Sequence, residues 1–146
     1  MGAALHMTRK SSGALHQLLT SNQYADQGMG EGDPSLTTFT PVEQYRNDYI
    51  FLAPSGWDQS WVVISVEAGT TVTADGAAPN GCVVEPSGSV GGTTYESQRC
   101  KLQPGAHRIE AGKPFGIVAY GYGPAGSYTV EGGAAVKHIY SPPPPM

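Results

Sequence analysis

The stretch Phe115-Gly116-Ile117-Val118-Ala119-Tyr120-Gly121-Tyr122-Gly123, followed by Gly126-Ser127-Tyr128 and Gly132-Gly133, sets glycines among aromatic and aliphatic residues at strand spacing. Successive side chains of a strand leave on opposite faces, so this run reads as a packed β-strand and not as a catalytic loop. Outward from it, helical periodicity is confined to Leu15, Leu18 and Leu19, after which glycine and proline punctuate the chain every few residues. Strands are predicted at Ser35–Thr40, Tyr49–Ala53, Trp61–Glu67, Thr70–Ala74, Cys82–Glu85, Thr94–Leu102, His107–Glu110, Phe115–Tyr122, Ser127–Glu131 and Val136–Tyr140. Asp75-Gly76, Asn80-Gly81 and Gly112-Lys113-Pro114 are the turn signals.

Two kinds of strand are implied. Trp61-Val62-Val63-Ile64-Ser65-Val66 and Tyr49-Ile50-Phe51-Leu52 are apolar on both faces, as central strands covered on both sides would be. Thr71, Thr73, Arg108 and Glu110 alternate with Val72, Ala74, His107 and Ile109, as half-exposed outer strands would. The pattern predicts an all-β fold, a two-sheet antiparallel β-sandwich of jelly-roll type. It shows no internal repeat and no second domain.

At 146 residues the chain suits one domain, able to bury roughly two thirds of the surface its unfolded form exposes. Its formal net charge of −4, with sparse charges, supplies no basic stripe for phosphates, so nucleic acid is not an expected partner. Apolar runs fall short of the roughly 18 residues that a membrane span needs, and no membrane insertion by this domain is expected. Arg9 and Lys10 precede Gly13-Ala14-Leu15-His16-Gln17-Leu18-Leu19, but His16 and Gln17 interrupt the apolar run and no small-residue cleavage site follows. The segment therefore reads as no signal peptide, and 1–12 is expected to be a disordered leader on a domain cut from a larger protein. The tail Ser141-Pro142-Pro143-Pro144-Pro145-Met146 reads as a polyproline linker in preference to an SH3-type ligand, which leaves 13–140 as the domain.

Cys82 and Cys100 lie at the edges of a turn-rich, core-poor segment containing Asn80-Gly81 and Ser87-Gly88-Ser89-Val90-Gly91-Gly92. Neither has a Cys-x-x-Cys or Cys-x-x-His neighbour to suggest zinc or redox chemistry, so a disulfide is favoured over two unrelated buried thiols.

Gly32-Asp33-Pro34-Ser35-Leu36, the run Pro41 to Leu52, Gly105-Ala106-His107-Arg108-Ile109 and Lys113-Pro114-Phe115-Gly116 through Gly123 occur in an order that resembles the IgGFc-binding protein N-terminal domain family. The resemblance covers roughly Gly13 to Tyr140. It implies a domain of secreted or surface-attached multidomain proteins, extracellular in location, and the founding animal protein is named for binding the Fc part of IgG. No Fc-contacting residue carries over, because the shared motifs read here as turn and core positions. The lack of the cysteine-rich repeats that accompany the domain in animals, the single disulfide and the proline tract suit a bacterial surface protein. The resemblance also makes Gly13–Asn22 an extended first strand in place of a helix.

Candidate sites are few. Asp26, Glu31 and Asp33 share the loop Gly28-Met29-Gly30-Glu31-Gly32-Asp33 and could offer calcium hard oxygen ligands, but their spacing is not that of an EF-hand, and a solvated turn capped by Asp33 is favoured. Glu43, Arg46 and Asp48 flank Tyr45 and Tyr49; an ion pair of Arg46 with a carboxylate is favoured over an acid and base pair. His6, His16, His107 and His138 are dispersed, with no His-Glu-x-x-His, and His107 reads as a satisfied core or half-core residue. Tyr120, Tyr122 and Tyr128 are expected to share a face between the glycines.

In Ser55-Gly56-Trp57-Asp58-Gln59-Ser60-Trp61, Trp61 reads as core. Trp57 beside Asp58 and Gln59 is the candidate ligand-binding group, since an exposed indole with polar neighbours suits a sugar face or a protein hot spot; the competing reading is a plug for the end of the sandwich. The sequence thus predicts a non-enzymatic, monomeric interaction domain without cofactor or metal, taking a protein or glycan ligand through loops. An architectural spacer and a carbohydrate-active enzyme are the alternatives.

EDTA is expected to leave the melting temperature unchanged. A drop of several degrees, restored by calcium, would make the loop of Asp26, Glu31 and Asp33 a metal site, because a ligand that binds only the folded state raises its stability.

Overall fold

The computed structural model describes residues 3–7, of which only the backbone is considered, together with 35–123 and 126–135. The expected segments Gly13–Asn22, Val136–Tyr140 and 141–146 lie outside the described residues, as do Asp26, Glu31, Asp33, His16 and His138. The strands are β1 (Ala3–Met7), β2 (Ser35–Phe39), β3 (Arg46–Ala53), β4 (Gln59–Glu67), β5 (Val72–Ala74), β6 (Val83–Val90), β7 (Thr93–Leu102), β8 (Gly105–Gly123) and β9 (Gly126–Glu131), with one 3-10 turn at Val42–Gln44 before β3. β3 to β9 form one seven-stranded antiparallel sheet in the order β3-β8-β4-β7-β6, with β5 and β9 also on β8. β1 and β2 form a separate antiparallel pair, Ala3 opposite Phe39 and Met7 opposite Ser35. Part of the stretch 1–12 read as a leader is therefore strand. A ladder draws on backbone N–H and C=O groups that any sequence carries, so apolar alternation was not required for it.

β8 organises the sheet. Its first part, Gly105 to Ala111, lies between β3 and β5, and its second part, from Phe115 on, lies between β4 and β9. The change of partners falls at Gly112-Lys113-Pro114, where the sequence signals a turn between two strands. Between the pairs Asp48↔Glu110 and Arg46↔Phe115, β8 carries extra residues opposite Asn47, a wide bulge. Proline has no N–H to offer a ladder, so pairing with one neighbour must lapse there, and the strand continues by taking another neighbour instead of reversing.

Side chains from both parts of the sheet meet in one buried cluster: Tyr49 and Ala53 of β3, Val62, Ile64 and Val66 of β4, Val72 of β5, Cys100 and Leu102 of β7, and Ile109, Phe115 and Ile117 of β8. Tyr49 locks the corner. Its ring meets that of Phe115 edge to face at 4.9 Å, its hydroxyl donates to the Phe115 carbonyl at 2.7 Å, and the same oxygen accepts the Arg46 N–H at 3.1 Å. A buried hydroxyl without partners would be costly, and this one has two.

β4 alternates as a central strand should, with Ser60, Val62, Ile64 and Val66 buried and Trp61, Val63 and Ser65 half-buried. β3 departs from expectation. Tyr49 and Ala53 are buried, but Ile50 and Leu52 point to the other face and stand exposed, because no described element packs over that face. An apolar outward residue looks the same in sequence whether or not another layer covers it.

The glycines that alternate along β8 make room for rings. A Cβ at Gly116 would lie 2.4 Å from the Tyr45 ring, and one at Gly121 would lie 2.3 Å from the Tyr128 ring and 2.7 Å from the Gln59 carbonyl oxygen. The register Gly121↔Tyr128 and Tyr120↔Thr129 puts Tyr128 on the face opposite Tyr120 and Tyr122, so the three tyrosines do not share a face. The pairing of Gly123 with Gly126 sets that parity, which spacing along one strand cannot reveal.

Gly121→Ala is expected to lower stability by about 1–3 kcal/mol, since a backbone oxygen and a packed ring must both yield. Urea unfolding with an unchanged m-value checks it; no loss of stability would show that Tyr128 does not pack on this backbone.

Candidate functional site

β3 and β9 leave an open side between them. A cleft of about 290 Å³ lies there, floored by Ile117 and Ala119 and rimmed by Leu52, Ile50 and Val130. Those three rim residues are 65%, 72% and 51% exposed, which for large apolar groups marks an uncovered patch. Gly132 closes its lower end: its N–H donates to the Ile117 carbonyl at 3.0 Å, and its missing side chain lets the backbone rest on Ile117 and Tyr49. Glu131 is held in place by the hydroxyls of Thr38, at 2.8 Å, and Thr40, which donate to its two carboxylate oxygens.

The loop after β3 continues this side. Trp57 is half-buried, its ring 5.2 Å from that of Tyr128 and stacked over Gly123, where an added Cβ would come within 3.2 Å. Tyr128 in turn donates its hydroxyl to Ser60 Oγ at 3.0 Å, and burial raises its pKa despite that bond. Tyr128 and Val130 share a face of β9, so Trp57, Tyr128 and Val130 lead from the loop to the cleft. Asp58 is exposed and Gln59 half-buried as β4 begins. Trp61, on the other face, is half-buried and carries the Arg99 guanidinium 5.3 Å from its ring centre.

The ion pairs differ from expectation. Asp48 takes a two-pronged bond from Arg108, at 3.1 Å and 3.0 Å, and Arg108 also reaches Glu110 at 3.0 Å, whereas Arg46 sits 5.8 Å from the centre of the Tyr49 ring. Register explains it. Asp48 lies opposite Glu110 and Ile50 opposite Arg108, so one cation sits on the same face as two carboxylates. The guanidinium lowers the pKa of Asp48.

A second cluster was not legible in the sequence. Asp75 and Gly76 form a two-residue turn with positive φ at both positions (53° and 80°), closed by Ala74 and Ala77, whose backbones exchange bonds of 2.8 Å and 3.0 Å. Asp75 accepts the Arg108 N–H at 2.8 Å through one carboxylate oxygen and meets His107 Nδ1 at 2.8 Å with the other. His107 Nε2 lies 2.7 Å from the Gln103 carbonyl. The bonds to the Arg108 N–H and to His107 lower the Asp75 pKa. For His107 burial works against the charged ring, but the Gln103 carbonyl and the Asp75 carboxylate outweigh it and raise the pKa. The Asp-Gly signal located this turn; only the pairing of Ala74 with Ile109 carries its carboxylate to His107.

Cys82 and Cys100 are bonded, their Cα atoms 4.0 Å apart. The pair Val83↔Arg99 is the neighbouring rung of the ladder, so the disulfide closes the β6–β7 hairpin at its base, and Gly91-Gly92 with φ of 58° and 84° turns its tip. All of β6 is exposed, and it bulges where Pro86 and Gly88 interrupt its register, so the covalent tie compensates for missing core. Among the described residues no three His, Cys, Asp or Glu side chains gather as a metal group.

The family described as IgGFc binding protein matches residues 3–121, from the start of β1 into β8, and the chain is a member of that family. No curated protein and no solved structure matches it. This family consists of non-enzymatic, extracellular or surface-associated binding domains.

Intact mass without reductant is expected about 2 daltons below the reduced mass, and reduction is expected to remove about 3 kcal/mol, the loop-closure value for a ring of this size. Two free thiols in an unreduced sample would overturn the pairing.

Proposed function

We propose that this chain is a non-enzymatic, adhesion-type interaction domain of a secreted or cell-surface bacterial protein, monomeric on its own, that takes a protein partner along the open side between β3 and β9. The observation that supports this reading is the exposure of Leu52, Ile50 and Val130 around a cleft whose floor belongs to the core. Burying such a patch contributes roughly 25 cal/mol per Å² of apolar surface removed from water, and the domain itself leaves it uncovered among the described residues. In this reading the sheet folded at β8 acts as a two-sheet, jelly-roll-like sandwich, and Trp57, Asp58 and Gln59 form the loop contact at the end of the cleft. A glycan is the second reading, favoured at the loop alone, where a partly exposed indole adjoins the exposed Asp58 carboxylate.

A serum-protein and glycan array identifies the ligand class, and two substitutions then test the site. Leu52→Asp alters an exposed position, so folding should survive within about 0.5 kcal/mol, and affinity for the protein ligand should collapse. Trp57→Ala should reduce affinity by about 2 kcal/mol or more with the fold preserved. If Trp57→Ala instead removes about 3 kcal/mol of stability and leaves affinity unchanged, Trp57 is an end plug. An array without hits would favour the architectural spacer.

A further inference from the structure

On the other open side of the sheet, between β5 and β7, lies a cavity of about 190 Å³ that the binding reading does not use. Its walls are apolar, from Val62, Ile64, Cys100, Leu102 and Ile109, and the loop Ala78-Pro79-Asn80 runs over it. At its mouth stand Asp75, Gln103 and His107. We propose that His107 is a proton-operated clasp at the rim of this cavity: the charged ring ties the Asp75 turn to the Gln103 segment, and loss of the proton gives up one of the two ties and loosens the rim, so that compact apolar groups enter more readily, while the bonds between Asp75 and the Arg108 backbone keep the turn attached.

The argument is one of donors and acceptors. Both ring nitrogens face oxygen acceptors, the Asp75 carboxylate at 2.8 Å and the Gln103 carbonyl at 2.7 Å. Only the imidazolium has an N–H on each nitrogen, so a neutral ring of either tautomer sets one lone pair against an oxygen and loses one of the two ties. The ties connect separate pieces of chain, since Gln103 follows β7 and Asp75 follows β5. Among the other groups, Phe51 of β3 packs on the ring at 5.8 Å and carries no charge, Lys101 of β7 lines the same cavity, and the Arg108 side chain is turned to Asp48 and Glu110. Asp75 is thus the one anion in contact with His107 among the described residues.

The direction with pH follows. The folded His107 pKa is raised above its unfolded value, so the contribution of the clasp is complete below the ordinary histidine value of about 6.5 and is lost as pH climbs through the folded one. Asp75, whose pKa is lowered by the Arg108 N–H and by His107, stays charged to lower pH than an ordinary carboxylate. Both ties are made between those limits.

The test is NMR on the intact oxidised protein. His107 should titrate above the value of a model peptide, with both N–H groups present in the low-pH form. Amide exchange at 75–81 and 103–108, corrected for intrinsic rates, should quicken as pH passes that midpoint, and xenon should perturb the methyls of Val62, Ile64, Leu102 and Ile109 more strongly above it than below. His107→Gln should abolish the pH dependence of both, and Asp75→Asn should shift the His107 midpoint down. A His107 midpoint at or below the peptide value, or an unchanged pH dependence in His107→Gln, would overturn the proposal; the wild-type titration decides it even if a variant fails to fold.

Discussion

The change of partners along β8 is the constraint on which the rest depends. A strand of 19 residues spans far more length than the usual five or six, and it can serve two sets of neighbours only if pairing lapses somewhere along it. Gly112-Lys113-Pro114 supplies that lapse, and the Tyr49 hydroxyl on the Phe115 carbonyl holds the corner so formed. Without it, Ile109 and Ile117 would belong to unrelated surfaces; with it, they share one core.

Around this change of partners the glycines of β8 decide how closely aromatic rings approach the backbone. Gly116 and Gly121 give their missing side-chain volume to Tyr45 and Tyr128, and Gly123 gives it to Trp57. Rings resting on bare backbone bury large apolar areas with little side-chain entropy to lose, which suits a domain with a modest core. The same device seats the Trp57 ring on Gly123 and against Tyr128.

The two open sides of the sheet are treated differently. Between β5 and β7, a disulfide, a tight Asp-Gly turn and a histidine with two acceptors secure the mouth of a cavity. Between β3 and β9, Ile50, Leu52 and Val130 face water around a cleft. One side is tied by a disulfide and a charged contact, while the other leaves apolar surface in water beside the carboxylate of Glu131 and the Asp48, Arg108 and Glu110 cluster.

By itself the sequence determined the all-β class, nearly every strand among the described residues, the turn at Asp75-Gly76, the pairing of Cys82 with Cys100 and the family. Each of these rests on local signals: alternation of period two, residues that accept positive φ, and two cysteines flanking a segment without a core. What only the tertiary structure decided was register and partner. Parity across the Gly123↔Gly126 hairpin put Tyr128 opposite Tyr120, diagonal placement gave Asp48 to Arg108 in place of Arg46, and the corner at Pro114 joined two expected strands into one. The exposure of Ile50 and Leu52 follows from which face of the sheet is covered, and the meeting of Asp75 with His107 from the pairing of β5 with β8. Those are relations between residues far apart in the chain, and no local pattern encodes them.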